Sequence, residues 1–119
     1  MPGTLIQRRW AEIPSEPMAA GVHRKFITGE RVTVAHFDLK RGSIVPRHAH
    51  ENEQITQVMK GALKFSIDGR EIVLHEGDVL QIPSWMEHEV NVLEDTFAID
   101  VFSPVRQDWI DRTDDYFRR

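Results

Sequence analysis

The chain has 119 residues, no cysteine, and 15 basic against 19 acidic side chains for a net charge of −4. That length holds one core and excludes two. The missing cysteines exclude a disulfide framework and a thiolate centre, and scattered basic residues argue against a nucleic-acid groove or a basic membrane-binding face.

No apolar run reaches bilayer-spanning length, and no charged start precedes an apolar block, so the expected setting is cytoplasmic. Residues 1–21 carry three prolines and two glycines without a sustained period. They are expected to form an irregular arm with a short edge strand around Trp10. Trp10 and Ile13 need cover, and a second copy of the chain is one candidate for it.

From Val22 the pattern turns extended and stays so to Phe102, within an expected domain over residues 22–110. Val22–Thr28 reads as a strand and Gly29-Glu30 as a turn. Arg31–Leu39 follows, enriched in β-branched and aromatic residues without a helical period. Gly42 breaks the run, Ile44–Pro46 leads into two histidines, and Gln54–Met59 is the next strand. Leu63, Phe65 and Ile67 alternate with polar residues up to Asp68-Gly69, the composition of a type I′ hairpin turn. The return strand is Arg70–Leu74. Gly77-Asp78 turns into Val79–Ile82, and strands follow around His88–Val92 and over Thr96–Phe102. Short strands at these intervals predict an all-β sandwich or barrel. Ser103-Pro104 has the composition of an N-cap with a first-turn proline, which predicts a short helix over Val105–Ile110. A charged, frayed tail over 111–119 is expected to close the chain, ending on a solvated Arg118-Arg119.

The chemistry is expected where His48 and His50 stand. On an extended strand, residues i and i+2 share a face with Cα atoms about 6–7 Å apart, so two imidazoles can grip one ion. Gln54 has the same parity. Taken alone, the pair reads as readily as two solvent-facing histidines. The frame narrows the choice. It runs G-x5-H-x-H-x3-Q-x6-G from Gly42 to Gly61, then G-x5-P from Gly77 to Pro83, then His88.

These two blocks resemble the paired motifs of the cupin superfamily. The resemblance implies a single jelly-roll barrel, a double-stranded β-helix, which is commonly a homodimer. It also implies one divalent transition-metal ion (Ni, Fe, Mn, Zn or Co) in the barrel mouth, held by His48, His50, Gln54 and His88. Three departures stand out. Gln54 occupies the usual glutamate position, Trp85 stands where the second motif has glycine, and Val92 stands where it has asparagine, with Asn91 one place early. Three imidazoles and an amide leave the ion's charge uncompensated, which favours an anionic substrate and Lewis-acid chemistry. Glu53 is an alternative oxygen ligand but has the wrong strand parity. A metal-free barrel with histidines packed in its mouth is the plainer alternative. His23, His36 and His75 match no motif position.

A second anchor is Asp100 to Trp109. Asp100 and Phe102 share a strand face, and Arg106 on the following helix can lean over the mouth. A simple Asp100–Arg106 ion pair, and Phe102 as plain core, are the alternatives. The run Asp100-Val101-Phe102-Ser103-Pro104-Val105-Arg106 resembles KdgF-type cupins of pectin degradation. That resemblance implies an enzyme that opens 4,5-unsaturated uronate monosaccharides, from pectin or alginate, to the linear 5-keto-4-deoxyuronate. It places Asp100 and Arg106 in catalysis and Phe102 and Arg106 on the small anionic sugar. A cupin oxygenase using ferrous iron and a non-catalytic sugar-acid-binding barrel are the competing functions.

Overall fold

The computed structural model describes residues 3–114 and 116–117. Ten strands make two antiparallel sheets. They are β1 (Glu16–Ala19), β2 (Val22–Thr28), β3 (Thr33–Leu39), β4 (Ile44–His48), β5 (Glu53–Lys60), β6 (Ala62–Ile67), β7 (Arg70–His75), β8 (Val79–Ile82), β9 (His88–Val92) and β10 (Thr96–Ser103). One sheet runs β1-β2-β3-β10-β5-β8 and the other β4-β9-β6-β7. The period of two is what builds the barrel: on β10, Thr96, Ala98, Asp100 and Phe102 are buried while the residues between them are only partly so. Phe37, Val58 and Ala98 of the larger sheet meet Leu63, Phe65 and Val90 of the smaller one. No described helix is long and apolar enough to cross a membrane.

Asp68 and Gly69 both take positive φ, 51° and 69°, as a type I′ hairpin turn requires. Gly61, at φ 102°, passes so close to β10 that a Cβ there would collide with the Thr96 hydroxyl and the Asp95 carbonyl. The first motif ends in glycine for that reason.

The ends differ from expectation. The edge strand of the arm is Glu16–Ala19, not the Trp10 region, where Trp10–Glu12 forms a single 3-10 turn. Trp10 is covered by the chain's own sheet. Its ring stacks on His36 with centroids 3.6 Å apart, His36 meets Phe97 edge-on at 5.0 Å, and Lys25 Nζ donates to the Trp10 carbonyl at 2.9 Å. The helix, α1, spans only Gln107–Ile110, and its N-cap is Arg106 rather than Ser103. Ser103 is still in the β10 ladder opposite Glu53, and the carbonyls of Pro104 and Val105 are taken by the Asn52 amide. That keeps both residues out of the helix.

The described residues of the tail, 111–114 and 116–117, dock instead of fraying. Asp114 is buried and accepts from Arg24 Nη1 at 3.2 Å, and Tyr116 is buried against the barrel mouth. Arg118 and Arg119 lie outside the described residues. Trp109 of α1 anchors this end: the guanidinium groups of Arg24 and Arg106 lie 4.1 and 4.3 Å from its ring, and Phe102 meets it edge-on at 5.0 Å.

Candidate metal centre

His48 is the last residue of β4 and pairs across the ladder with His88, the first of β9. The chain then leaves the strand. His50 sits in the connecting turn, pinned by the Trp85 amide donating to its carbonyl at 2.8 Å. β5 brings Gln54 back inward, directly opposite Phe102. The shared parity of His48, His50 and Gln54 therefore passes through a turn and recovers. One ring nitrogen from each of His48, His50 and His88 lies within 4.8 Å of the others, and all three residues are buried.

The outward nitrogens decide the chemistry. His48 Nδ1 lies 2.7 Å from the Pro46 carbonyl, His50 Nδ1 3.0 Å from that of Asn52, and His88 Nδ1 2.9 Å from that of Met86. A carbonyl only accepts, so each Nδ1 carries the proton and each Nε2 turns a lone pair inward. Burial, reinforced by neighbouring cationic groups, pulls the His48 imidazole down to about 3 and lowers His88; burial and Arg106 pull His50 down to about 4. The three rings are neutral at pH 7, and the Nε2 of His88 is buried with no hydrogen-bond partner among the described residues.

Gln54 fits the same reading. Its amide nitrogen donates to Thr56 Oγ1 at 2.9 Å and to Asp100 Oδ2 at 3.4 Å, which turns its carbonyl oxygen to 3.1 Å from His50 Nε2. Two acceptors facing each other repel unless a cation lies beside both. Adjacent donors at about 2.1 Å from an ion, at right angles, stand about 3 Å apart. The orphaned Nε2 of His88 and this facing pair fit a divalent ion bound by His48, His50, His88 and Gln54. Glu53 is excluded as a ligand: it is exposed, and its carboxylate accepts from Gln81 Nε2 at 2.9 Å.

Asp100 lies behind Gln54. Burial pushes its carboxyl up to about 7, with the Thr56 hydroxyl and the Arg106 charge pulling back, and its Oδ1 has no partner. Arg106 is buried but not paired with Asp100. Its Nε and Nη2 donate to the two Asp108 oxygens at 2.9 and 2.8 Å, and its guanidinium lies over the Phe102 ring at 4.7 Å. The forked face expected for a substrate carboxylate is therefore held by Asp108. Phe102 does two jobs, packing on Trp109 while its ring meets His50 edge-on at 5.6 Å. His48, Gln54, His88, Asp100, Phe102 and Arg106 line one cavity of about 40 Å³.

The cupin domain profile matches residues 35–102, more than half the chain. The chain belongs to the cupin family. This cupin is 32% identical over 104 residues to the pectin degradation protein KdgF of Dickeya dadantii, covering 83% of this chain and 93% of that one. A structure of KdgF from Halomonas sp. superimposes with a TM-score of 0.82 at 28% identity, over 89% of this chain and 99% of that one. An RmlC-like cupin from Shewanella frigidimarina matches with TM-score 0.82 over 89% and 96% of the two chains; at 23% identity it speaks for the fold.

The departures of this cupin from the motif now have places. Trp85 adopts φ 64°, the left-handed conformation that a glycine takes without strain, so the loop geometry survives the substitution. Val92 points into the core and Asn91 out of it, so Asn91 does not replace the motif asparagine. His75 is exposed beside Asp78, His23 is exposed, and His36 is the stacking partner of Trp10.

Sequence reasoning missed Asn52, Thr56 and Tyr116. Asn52 lies inside the first motif, and its side chain clamps Pro104 and Val105 while its carbonyl orients His50. Asn52→Ala should weaken metal binding about tenfold, the low end for groups that hold a ligand in place, as read by competition with a chromophoric chelator. Asn52→Asp should be no better, since a carboxylate cannot donate to two carbonyls.

Proposed function

We propose that this cupin converts 4,5-unsaturated uronate monosaccharides to the linear 5-keto-4-deoxyuronate. The observation that carries the reading is a buried carboxyl, Asp100, joined through Gln54 to a cluster of three buried, neutral imidazoles beside a buried arginine. The relationship to proteins named for pectin degradation supports the same substrate class.

The substrate is an anion with an enol ether across C4 and C5. A divalent ion on His48, His50, His88 and Gln54 would supply Lewis-acid polarisation of a substrate oxygen. The remaining work falls to side chains. Arg106, with two of its nitrogens already on Asp108, contributes positive potential to the cavity more than a free fork. Phe102 offers an apolar wall for one sugar face. Asp100 can both give and take a proton near neutral pH, and it delivers the proton that ends on C4. That proton is required whether water adds at C5 and the hemiketal opens, or the ring opens to an enol that tautomerises. In the first route the C5–O5 bond breaks, and the hydrate left at C1 loses one water, balancing the one added. In the second the C1–O5 bond breaks and O5 stays on C5. Both end in a C5 ketone and a C1 aldehyde, a net isomerisation. Pairing of two copies is part of the reading, with the exposed Ile55, Met59 and Val79 on the outer face of β5 and β8 as the apolar row to be covered.

The test follows the ultraviolet absorbance of the enol ether. Metal-loaded protein should hasten its loss, and chelated protein should not. A metal-loaded chain that leaves the absorbance unchanged removes the reading, and turnover that demands dioxygen hands it to the oxygenase alternative.

A further inference from the structure

The cavity at the metal centre is too small for any sugar. Its volume of about 40 Å³ compares with the roughly 10–15 Å³ that one water needs, so it has room for an ion and a few waters. Sites that take small organic ligands begin near 300 Å³. Some wall must move before a uronate can enter.

Among the described lining residues, Tyr116 and Phe117 come from the tail, and the rest from the strands, α1 and its N-cap Arg106. The strand walls are close-packed ladders that do not open by an ångström without loss of packing, and Arg106 and Trp109 are buried and packed on Phe102. Tyr116 is placed as an occupant would be. Its ring lies flat on the His48 imidazole, centroids 4.0 Å apart and planes within 3°. Its neutral hydroxyl accepts a hydrogen bond from Arg106 and is buried with it. One phenol thus covers a metal-binding histidine and the cation expected to attract the substrate. Among the described contacts of the tail are the Arg24–Asp114 ion pair at 3.2 Å, an Arg112–Glu16 pair at 2.6 Å on the surface, the ring stack, and the Tyr116 hydroxyl's hydrogen bonds with Arg106 and Trp109.

We propose that Tyr116 is the gate of this site: its ring fills the berth on His48, and the tail must swing away before a ligand reaches the ion. The substrate half of the inference rests on the uronate reading, while the gating of the ion does not. A ring that fills the berth most of the time lowers the apparent affinity of a ligand that must take its place by the fraction of time it is open, and it slows the exit of an ion held beneath it.

The test uses the full chain loaded with Co²⁺, its visible band followed after mixing with excess EDTA. Tyr116→Ala should release the ion about tenfold faster than the parent chain, the scale expected when a mostly closed state is removed. Tyr116→Phe, which keeps the ring stack, should release it at close to the parent rate. With unsaturated uronate, Tyr116→Ala should show a KM lowered by a similar factor. Equal release rates for Tyr116→Ala and the parent would overturn the gate. So would a Tyr116→Ala chain that folds, by circular dichroism, yet binds no Co²⁺, because Tyr116 would then be a support of the centre. A raised KM would overturn it too, making Tyr116 a sugar contact. A parent chain inactive on uronates sinks the functional reading alone and leaves the release rates to decide the gate.

Discussion

His88→Ala should abolish tight binding of divalent metal. His88 begins β9 opposite His48, its Nδ1–H is fixed on the Met86 carbonyl, and its Nε2 is buried without a partner. Removing a group that merely orients a ligand costs 10–100-fold in affinity, so removing the ligand should cost at least about 100-fold. The readout that isolates the ion is thermal. At metal concentrations near 100 times Kd, binding to the folded state alone adds about 2.7 kcal/mol, on the order of ten degrees for a chain this size. The parent chain should show that rise on metal addition and lose it on chelation. His88→Ala should show neither. Its apo form also loses packing against the barrel, but that loss is the same with and without metal and drops out of the comparison. A metal-dependent rise that survives His88→Ala would mean the three imidazoles do not share an ion.

The parts of this site that could be read in the sequence are those that obey a local period. β10 alternates strictly, so Asp100 and Phe102 face inward together as expected. The Asp68-Gly69 turn fixed the β6–β7 hairpin for the same reason: its two residues favour the positive φ that the turn needs. Family spacing located the three histidines, but periodicity alone did not, because His50 sits in a turn where strand parity has no meaning. Asn52 was hidden because its work is done across 52 residues of sequence, on carbonyls whose place only the closed barrel defines. Arg106 was found but its hands were not: Asp108, two residues on, takes the forked face, a local pairing that competes with any ligand. The tail misled most. Charge between Asp111 and Arg119 suggests solvation, yet Asp114 and Tyr116 go inside because buried Arg24 and Arg106 are there to meet them.

Asp100→Asn should cut turnover by about 10²–10⁴-fold while leaving the metal bound, the usual range for losing a positioned proton donor or acceptor. Asp100 is not a ligand. It accepts from the Gln54 amide at 3.4 Å, and asparagine can still accept there through its own oxygen, so Gln54 keeps its carbonyl toward the ion. The substitution should also stabilise the chelated chain, by an amount that depends on pH. In the folded state the carboxyl is raised to about 7, against 3.8 when exposed. Below about pH 4 both states are protonated and the shift costs nothing. Above pH 7 both are ionised, and the folded state carries the full penalty of a buried carboxylate whose Oδ1 has no partner. About three units at 1.36 kcal/mol each sets the ceiling, and on the order of 1–3 kcal/mol is expected once the asparagine's own burial is set against it. Urea unfolding of chelated protein should therefore favour Asp100→Asn at pH 8 and show little difference at pH 4. If the variant were slower but no more stable at pH 8, the carboxylate would have a partner, and its place in the proton path would pass to that partner. A more stable variant with undiminished turnover would remove Asp100 from the chemistry altogether.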